Sequence, residues 1–175
     1  MITPTWSPRR LHALDDAQLD ELADVLIDCV EGGASVSFMH PLSRDRAVAF
    51  WRRVAQGVVA GECALLVADD ARGLCGAVQL VLDQPENQPH RAELSKMLVH
   101  RRARRQGLGA ALMRAAEATA RECGKTLLVL DTANGEAERL YERLGWKRVG
   151  VIPDYALLPQ GGLCGTTVYD RNLGG

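Results

Sequence analysis

Cysteine is sparse and scattered: five thiols stand alone at positions 29, 63, 75, 123 and 164, with no C-x-x-C pair. No two histidines fall at zinc-ligand spacing, so neither a disulfide framework nor a metal site is expected, and free thiols in a reducing cytoplasm are the simpler reading. No apolar run approaches membrane-spanning length, and the N-terminus carries no apolar stretch after its charges, so neither a membrane span nor a signal peptide is expected. Aromatic residues make up only 5% of the chain, and none is interleaved in Arg101–Arg105, where four of five positions are arginine. With a formal net charge of −1, that run does not read as a nucleic-acid patch. Gly-x-x-x-x-Gly-Lys-Ser/Thr is absent, which excludes a P-loop. A Rossmann fingerprint fails because Leu112 stands where its third glycine would be.

The 175 residues, 47% apolar and 25% charged, suffice for a sizeable core, and the expectation is a single domain over residues 1–175. Charge is unevenly spread. Residues 1–90 hold 7 basic and 13 acidic groups, and residues 91–175 hold 14 basic and 9 acidic. A basic second half suits a polyanionic ligand, and an acidic first half suits a cationic amine, although much of that acidity falls on the outer face of one helix.

Patterning gives the elements. Residues 9–14 read as a first strand. Asp15-Asp16 offers an N-cap for a helix over about 17–31, whose stripe Leu19, Leu22, Ala23, Leu26 and Val30 leaves Asp20, Glu21, Asp24 and Asp28 mostly outside. Gly32-Gly33 ends it, and Ser43 caps a second helix reaching about Ala60. Two β-rich runs, 63–69 and 73–82, joined at Asp69–Gly73, read as a hairpin. There follow a strand over 91–99, a helix over 107–123, a strand over 126–131, a helix over 135–144, a strand over 146–152 and a last strand near 166–171. A meander followed by alternating helices and strands predicts an α/β fold, a mixed sheet with helices on both faces.

The segment Val99-His-Arg-Arg-Ala-Arg104-Arg-Gln-Gly107-Leu-Gly109-Ala-Ala-Leu112 carries an apolar strand into an arginine-rich loop, two glycines and an alanine/leucine helix. Unpaired N–H groups in the first turn of such a helix, reached past glycines and flanked by arginines, make a site for a pyrophosphate. His100, Arg101 and Arg102, at the mouth of the loop, read as solvated. The spacing Arg104-x-x-Gly107-x-Gly109 in this strand–loop–helix context resembles the signature of the GNAT superfamily of acetyl-CoA-dependent N-acetyltransferases. The resemblance implies a single-domain GNAT fold, with a mostly antiparallel sheet of roughly six or seven strands opened by a V-shaped splay and covered by helices on both faces. It also implies acetyl-CoA as co-substrate, with no metal. Leu98 and Val99 would then offer backbone groups to the pantetheine arm, and Arg104, Arg105, Gln106, Gly107, Leu108, Gly109 and Ala110 would wrap the pyrophosphate.

Further along, Ala137, Leu140, Tyr141 and Leu144 share one helix face, which turns Tyr141 inward by pattern alone. An inward tyrosine is ordinarily a core residue whose hydroxyl has one partner. By the resemblance, Asn134, Ala137 and Tyr141 match the family's Asn, Ala and Tyr, which puts Asn134 at the cofactor and Tyr141 beside the coenzyme sulfur as general acid. A substrate ammonium must also lose a proton before it can attack. Glu93, in the strand leading to the loop, and Asp131, ending the neighbouring strand, are the candidates to accept it. The plainer reading of each is a strand-edge acid that caps a helix or faces solvent.

The stretches 32–39, 91–97, 128–132 and 148–155 are similar to one branch of the superfamily, the tabtoxin-resistance acetyltransferases, which acetylate the amine of a β-lactam-containing amino acid toxin. Members contact their acceptors through the regions corresponding to 32–40 and 153–164, so the implied acceptor is the primary amine of a small, amino-acid-like molecule, a β-lactam toxin among the options. One departure is Arg101, where many members carry proline, which loosens the preset geometry of the loop. A protein lysine or N-terminal acetyltransferase and a non-catalytic acyl-CoA sensor are the competing readings. Many members form homodimers, but nothing in this sequence marks an interface.

Overall fold

The computed structural model describes residues 5–174. Three of the helices begin where short polar side chains can occupy their free N–H groups. Helix α1 (Asp16–Glu31) opens on a reciprocal capping box: Gln18 N donates to Asp15 Oδ1 at 2.8 Å, and Asp15 N donates to Gln18 Oε1 at 2.9 Å. Helix α2 (Arg44–Ala60) is capped by Ser43, whose Oγ accepts from Arg46 N at 3.2 Å. Helices α3 (Leu108–Glu122) and α4 (Gly135–Arg143) follow in the second half. The strands are β1 (Arg9–Leu11), β2 (Cys63–Asp70), β3 (Gly73–Val81), β4 (Arg91–Val99), β5 (Leu127–Thr132), β6 (Lys147–Leu157) and β7 (Leu163–Asn172). They form one sheet in the order β1-β2-β3-β4-β5-β7-β6, in which only β4 and β5 run parallel.

Alternation of side chains along the strands divides the core between the two faces of the sheet. In β2, Ala64, Leu66 and Ala68 join the cluster under α3, together with Leu108, Leu112, Met113, Tyr141 and Trp146. Cys63, Leu65 and Val67 face the opposite way, onto Leu22, Leu26 and Trp51 of α1 and α2.

Strand β4 breaks this rule. Ala92 and Leu94 face α3, yet Leu98, an even number of residues further on, faces α1 and α2. The register supplies the cause: Ala77 pairs with Leu98 and Gln79 with Ser95, so Val78 stands opposite two residues, Lys96 and Met97. This β-bulge reverses the phase of the strand. Met97 and Val99 accordingly pack against the α3 cluster.

Between β4 and β5 the pairing stops early. The partners are Arg91 with Leu127, Ala92 with Leu128 and Glu93 with Val129, and the strands separate beyond them. This is the expected splay.

Three strand boundaries differ from the sequence reading by three residues or more. β1 ends at Leu11 rather than residue 14. β6 runs on through Pro153 to Leu157 and pairs with a β7 that begins at Leu163. Proline is tolerated there because β6 is the edge of the sheet, where a missing N–H breaks no ladder, and the register shifts between Ile152 and Ala156.

Candidate active site

Beyond the last β4–β5 pair lies a groove of about 860 Å³ walled by β4, the end of β5, the loop before α3 and the first turns of α3 and α4. Leu98, Val99, Arg104, Arg105, Gly107, Leu108, Gly109, Ala110, Asp131, Asn134 and Tyr141 all line it. Glu93 and Gln106 are not part of that wall.

Helix α3 presents bare amides to this groove. Its N-cap is Gly107, which supplies no side-chain acceptor, and the first turn's helical bonding begins with Ala111 N donating to Gly107 O at 3.1 Å. The N–H groups of Leu108, Gly109 and Ala110 therefore have no acceptor within the helix, and the helix dipole adds positive potential there. Gly107 is needed for its backbone: φ is +80°, and no atom lies within 4 Å of where a Cβ would stand. Gly109 is needed for space, because a Cβ there would lie 3.0 Å from Leu140 Cδ2 on α4.

The arginines divide. Arg105 is largely exposed, with Nη2 3.7 Å from Glu136. Arg104 Nε donates to Val99 O at 3.1 Å, which ties the loop to the end of β4. Arg101 and Arg102, expected to be solvated, are instead structural. Arg101 donates from its backbone N at 2.9 Å and from Nε to Asp28, and Arg102 Nε donates to Asp70 at 2.9 Å while its Nη2 reaches Leu74 O, also at 2.9 Å. Asp28, placed on an outer helix face by the sequence reading, is only 8% exposed, because Arg101 and His100 close over it. His100 is not freely solvated either. Its Nδ1 accepts from Arg102 N at 3.1 Å, and burial holds its pKa below the usual histidine value. Gln106 serves the same loop: its side chain donates to Arg102 O at 3.1 Å, and its carbonyl accepts from Trp6 Nε1 at 2.8 Å.

Tyr141 is 4% exposed and packs against Trp146 and Tyr169, with ring centroids 6.1 and 5.9 Å away. Its hydroxyl has no hydrogen-bond partner among the described residues. Burial, then the charge of Asp131, then Tyr169 push its pKa far above the usual phenol value. Neighbouring Tyr169 is tied down by contrast, donating to Glu142 Oε1 at 2.9 Å. Asp131 lies exposed in the groove at the end of β5 and accepts from Thr166 Oγ1 at 2.7 Å. Glu93 belongs to the paired part of β4, exposed and 3.3 Å from Arg91 Nη1, with its back to the groove's chemistry. Asn134 caps α4, its Oδ1 accepting from Glu136 N at 2.8 Å and Ala137 N at 3.2 Å.

The bulge adds a residue that the sequence did not single out. Lys96 adopts φ +52° and lines the groove, its ammonium donating to Ser37 Oγ at 3.3 Å and lying 5.6 Å from the Phe50 ring centre. Burial lowers its pKa, and the charge of Asp131 partly offsets this. Ser37 also has a left-handed backbone, at φ +76°. A smaller pocket of about 110 Å³ adjoins the same wall. Ser35 and Ser37 from the α1–α2 loop, Asp131–Ala133, and Tyr155–Leu157 with Cys164–Thr166 from the β6–β7 hairpin line it. The loop and the hairpin thus converge on Asp131.

The acetyltransferase (GNAT) family model matches residues 19–146. This chain belongs to that family. Solved structures share the GNAT fold over nearly their whole length. A GNAT superfamily phosphinothricin acetyltransferase from Sinorhizobium meliloti, in complex with AcCoA, matches at a TM-score of 0.79 and 19% identity, over 98% of this chain and 90% of that one. Ribosomal-protein-alanine N-acetyltransferase from Brucella melitensis also matches at 0.79 and 19%, over 95% and 99%. A GCN5-related N-acetyltransferase from Kribbella flavida matches at 0.75 and 23%, over 94% and 97%. Two relatives named for quite different acceptors match this GNAT chain equally well, so the fold does not choose the acceptor. No group of three or more His, Cys, Asp or Glu among the described residues could hold a metal ion, and no helix is long and apolar enough to cross a membrane.

Proposed function

We propose that this acetyltransferase moves the acetyl group of acetyl-CoA directly to the primary amine of a small, amino-acid-like acceptor. The observation that carries the reading is the convergence, in one groove, of an uncapped helix N-terminus, an unpaired strand edge, and the side chains of Asp131 and Tyr141.

The α3 amides with Arg104 and Arg105 suit the pyrophosphate, and the β4 edge beyond Glu93 has free backbone groups for the pantetheine arm. Val99, on the open edge, already has its O engaged by Arg104, whereas the backbone groups of Leu98 alternate toward β3, where Leu98 pairs with Ala77 and His100 N donates to Cys75 O. Asp131, directly or through a water, takes the proton that the acceptor ammonium must lose. A new C–N bond then forms as the C–S bond breaks. Tyr141, a phenol and so protonated at neutral pH, holds its proton still more firmly for being buried and donates it toward the departing sulfur. No thiol of this chain is required as a nucleophile: Cys29, Cys63 and Cys75 are buried, with raised pKa values.

The small pocket formed by the α1–α2 loop and the β6–β7 hairpin supports a compact acceptor over a peptide, and β-lactam amino acids are the first to try. Titration calorimetry should detect coenzyme A binding, and thiol release should follow with small amino acids and not with short peptides. Heat on binding without thiol release from any amine would favour a sensor, and release with peptides alone would favour a protein acetyltransferase.

The Gly107 backbone gives a sharper check. Gly107→Ala must adopt φ near +80° to keep the amides aimed, at a cost of about 1–2 kcal/mol for an L-residue. Coenzyme A affinity should fall roughly tenfold, in proportion to that strain, with the fold retained. Unchanged affinity would remove the α3 N-terminus from the binding site.

A further inference from the structure

We infer that Lys96 anchors a carboxylate on the acceptor, and that this pairing selects amino-acid-like acceptors over simple amines. The inference rests on the acetyltransferase reading above and deepens it.

Three observations support it. The bulge in β4 gives Lys96 a left-handed backbone and brings its side chain into the wall that also holds Asp131 and Tyr141. Bulges commonly re-aim a side chain beside an active site, and a non-glycine residue with positive φ is held at a cost. Second, the ammonium is poorly served by its neighbours. It has three N–H donors, one 3.3 Å bond to Ser37 Oγ and the face of Phe50, and it forms no ion pair among the described residues. A cation withdrawn from water with so few partners is stabilised by an anion that arrives with the substrate. The lowered pKa of Lys96 agrees with this, since burial is its first cause.

Third, the charges lie in the right places. Arg104 and Arg105 belong to the loop before α3, where the pyrophosphate is proposed to sit, while Lys96 faces Ser37 at the acceptor pocket that Ser35, Ser37 and Asp131 share. Lys96 and Asp131 are near enough for the carboxylate to affect the ammonium's pKa. The acceptor end of the groove therefore has a cationic and an anionic wall. An amino acid presents the complementary pair, a carboxylate for Lys96 and an amine for Asp131. A simple amine uses only half of the site and leaves the half-buried ammonium unpaired.

The test compares acceptors that differ only in the carboxylate. With acetyl-CoA at saturation, thiol release is measured for the standard L-amino acids and a β-lactam amino acid, and for the methyl ester and the decarboxylated amine of each one turned over. The carboxylate form should be preferred by about tenfold or more in kcat/KM, as for a hydrogen bond to a charged group that loses one partner. Lys96→Met should abolish that preference through KM rather than kcat, and Lys96→Arg should restore most of it. A purely structural lysine would not move the ratio between the acid and its ester. Equal rates for acid, ester and amine in the unaltered protein, or a ratio unmoved in a folded Lys96→Met, would overturn the anchor and leave the transferase reading standing. Thiol release from none of these compounds would sink both.

Discussion

Tyr141→Phe is expected to lower kcat by about a hundredfold or more, the range for a lost proton donor at a reacting centre, while coenzyme A affinity and the thermal midpoint stay where they were. The expectation follows from what the hydroxyl lacks. The ring is buried while the residue lines the groove, and no described residue accepts from the hydroxyl or donates to it, so its removal breaks no structural bond and leaves the ring packed against Trp146 and Tyr169. Tyr169→Phe is the matched control. That hydroxyl donates to Glu142 at 2.9 Å, with its pKa pushed up to about 12 by burial and then by that bond, so its loss should show in stability before turnover. Steady-state kinetics beside a melting curve separates the two cases. A Tyr141→Phe enzyme with unimpaired kcat would take the phenol out of the chemistry.

The second large effect distinguishes two carboxylates that the sequence left level. Asp131→Asn should cost about a hundredfold or more in kcat/KM, the size expected when a positioned base is lost, whereas Glu93→Gln should stay within roughly twofold. Asp131 lines the groove, shares it with Tyr141 and keeps a 2.7 Å bond from Thr166 that asparagine can still accept, so the substitution removes basicity and little else. Glu93 is engaged with Arg91 on the paired part of β4. The reverse ranking of the two variants would move the base to Glu93 and require a different path for the acceptor.

The parts of the fold that were legible in sequence are those fixed by local chemistry. Asp15 and Ser43 each mark a helix start with a side chain that reaches its own following amides, and both caps are present, whereas Asn134, read for the cofactor, also caps α4. The glycine loop could be read because Gly107 and the arginines lie in one short segment. The remainder depended on contacts distant in sequence. Asp28 looked like another acid on a wet helix face, since its partners His100 and Arg101 lie some seventy residues away. β6 appeared to end at Ile152 because Pro153 usually breaks a ladder, and only its place at the sheet edge permits it to continue. The β4 bulge left no signal in a uniformly strand-like run, so Lys96 passed unnoticed. Gly109, read as room for an anion, turned out to be fixed as well by Leu140 across the α3–α4 contact.

The extra residue in β4 has a bearing on how this chain can change. Because it reverses the strand's phase, Leu98 seals the layer of α1 and α2 while Met97 and Val99 seal the other. Deleting either Lys96 or Met97 would leave Leu98 opposite Ala77 and an odd number of residues from Ala92, so plain alternation would still seal both layers; what would be lost is the left-handed step that carries Lys96 into the groove. The core does not need the extra residue, so the bulge is a feature of the groove, and what the enzyme accepts can change by exchanging or losing one of the two residues that face Val78, or by remodelling the loop and hairpin opposite.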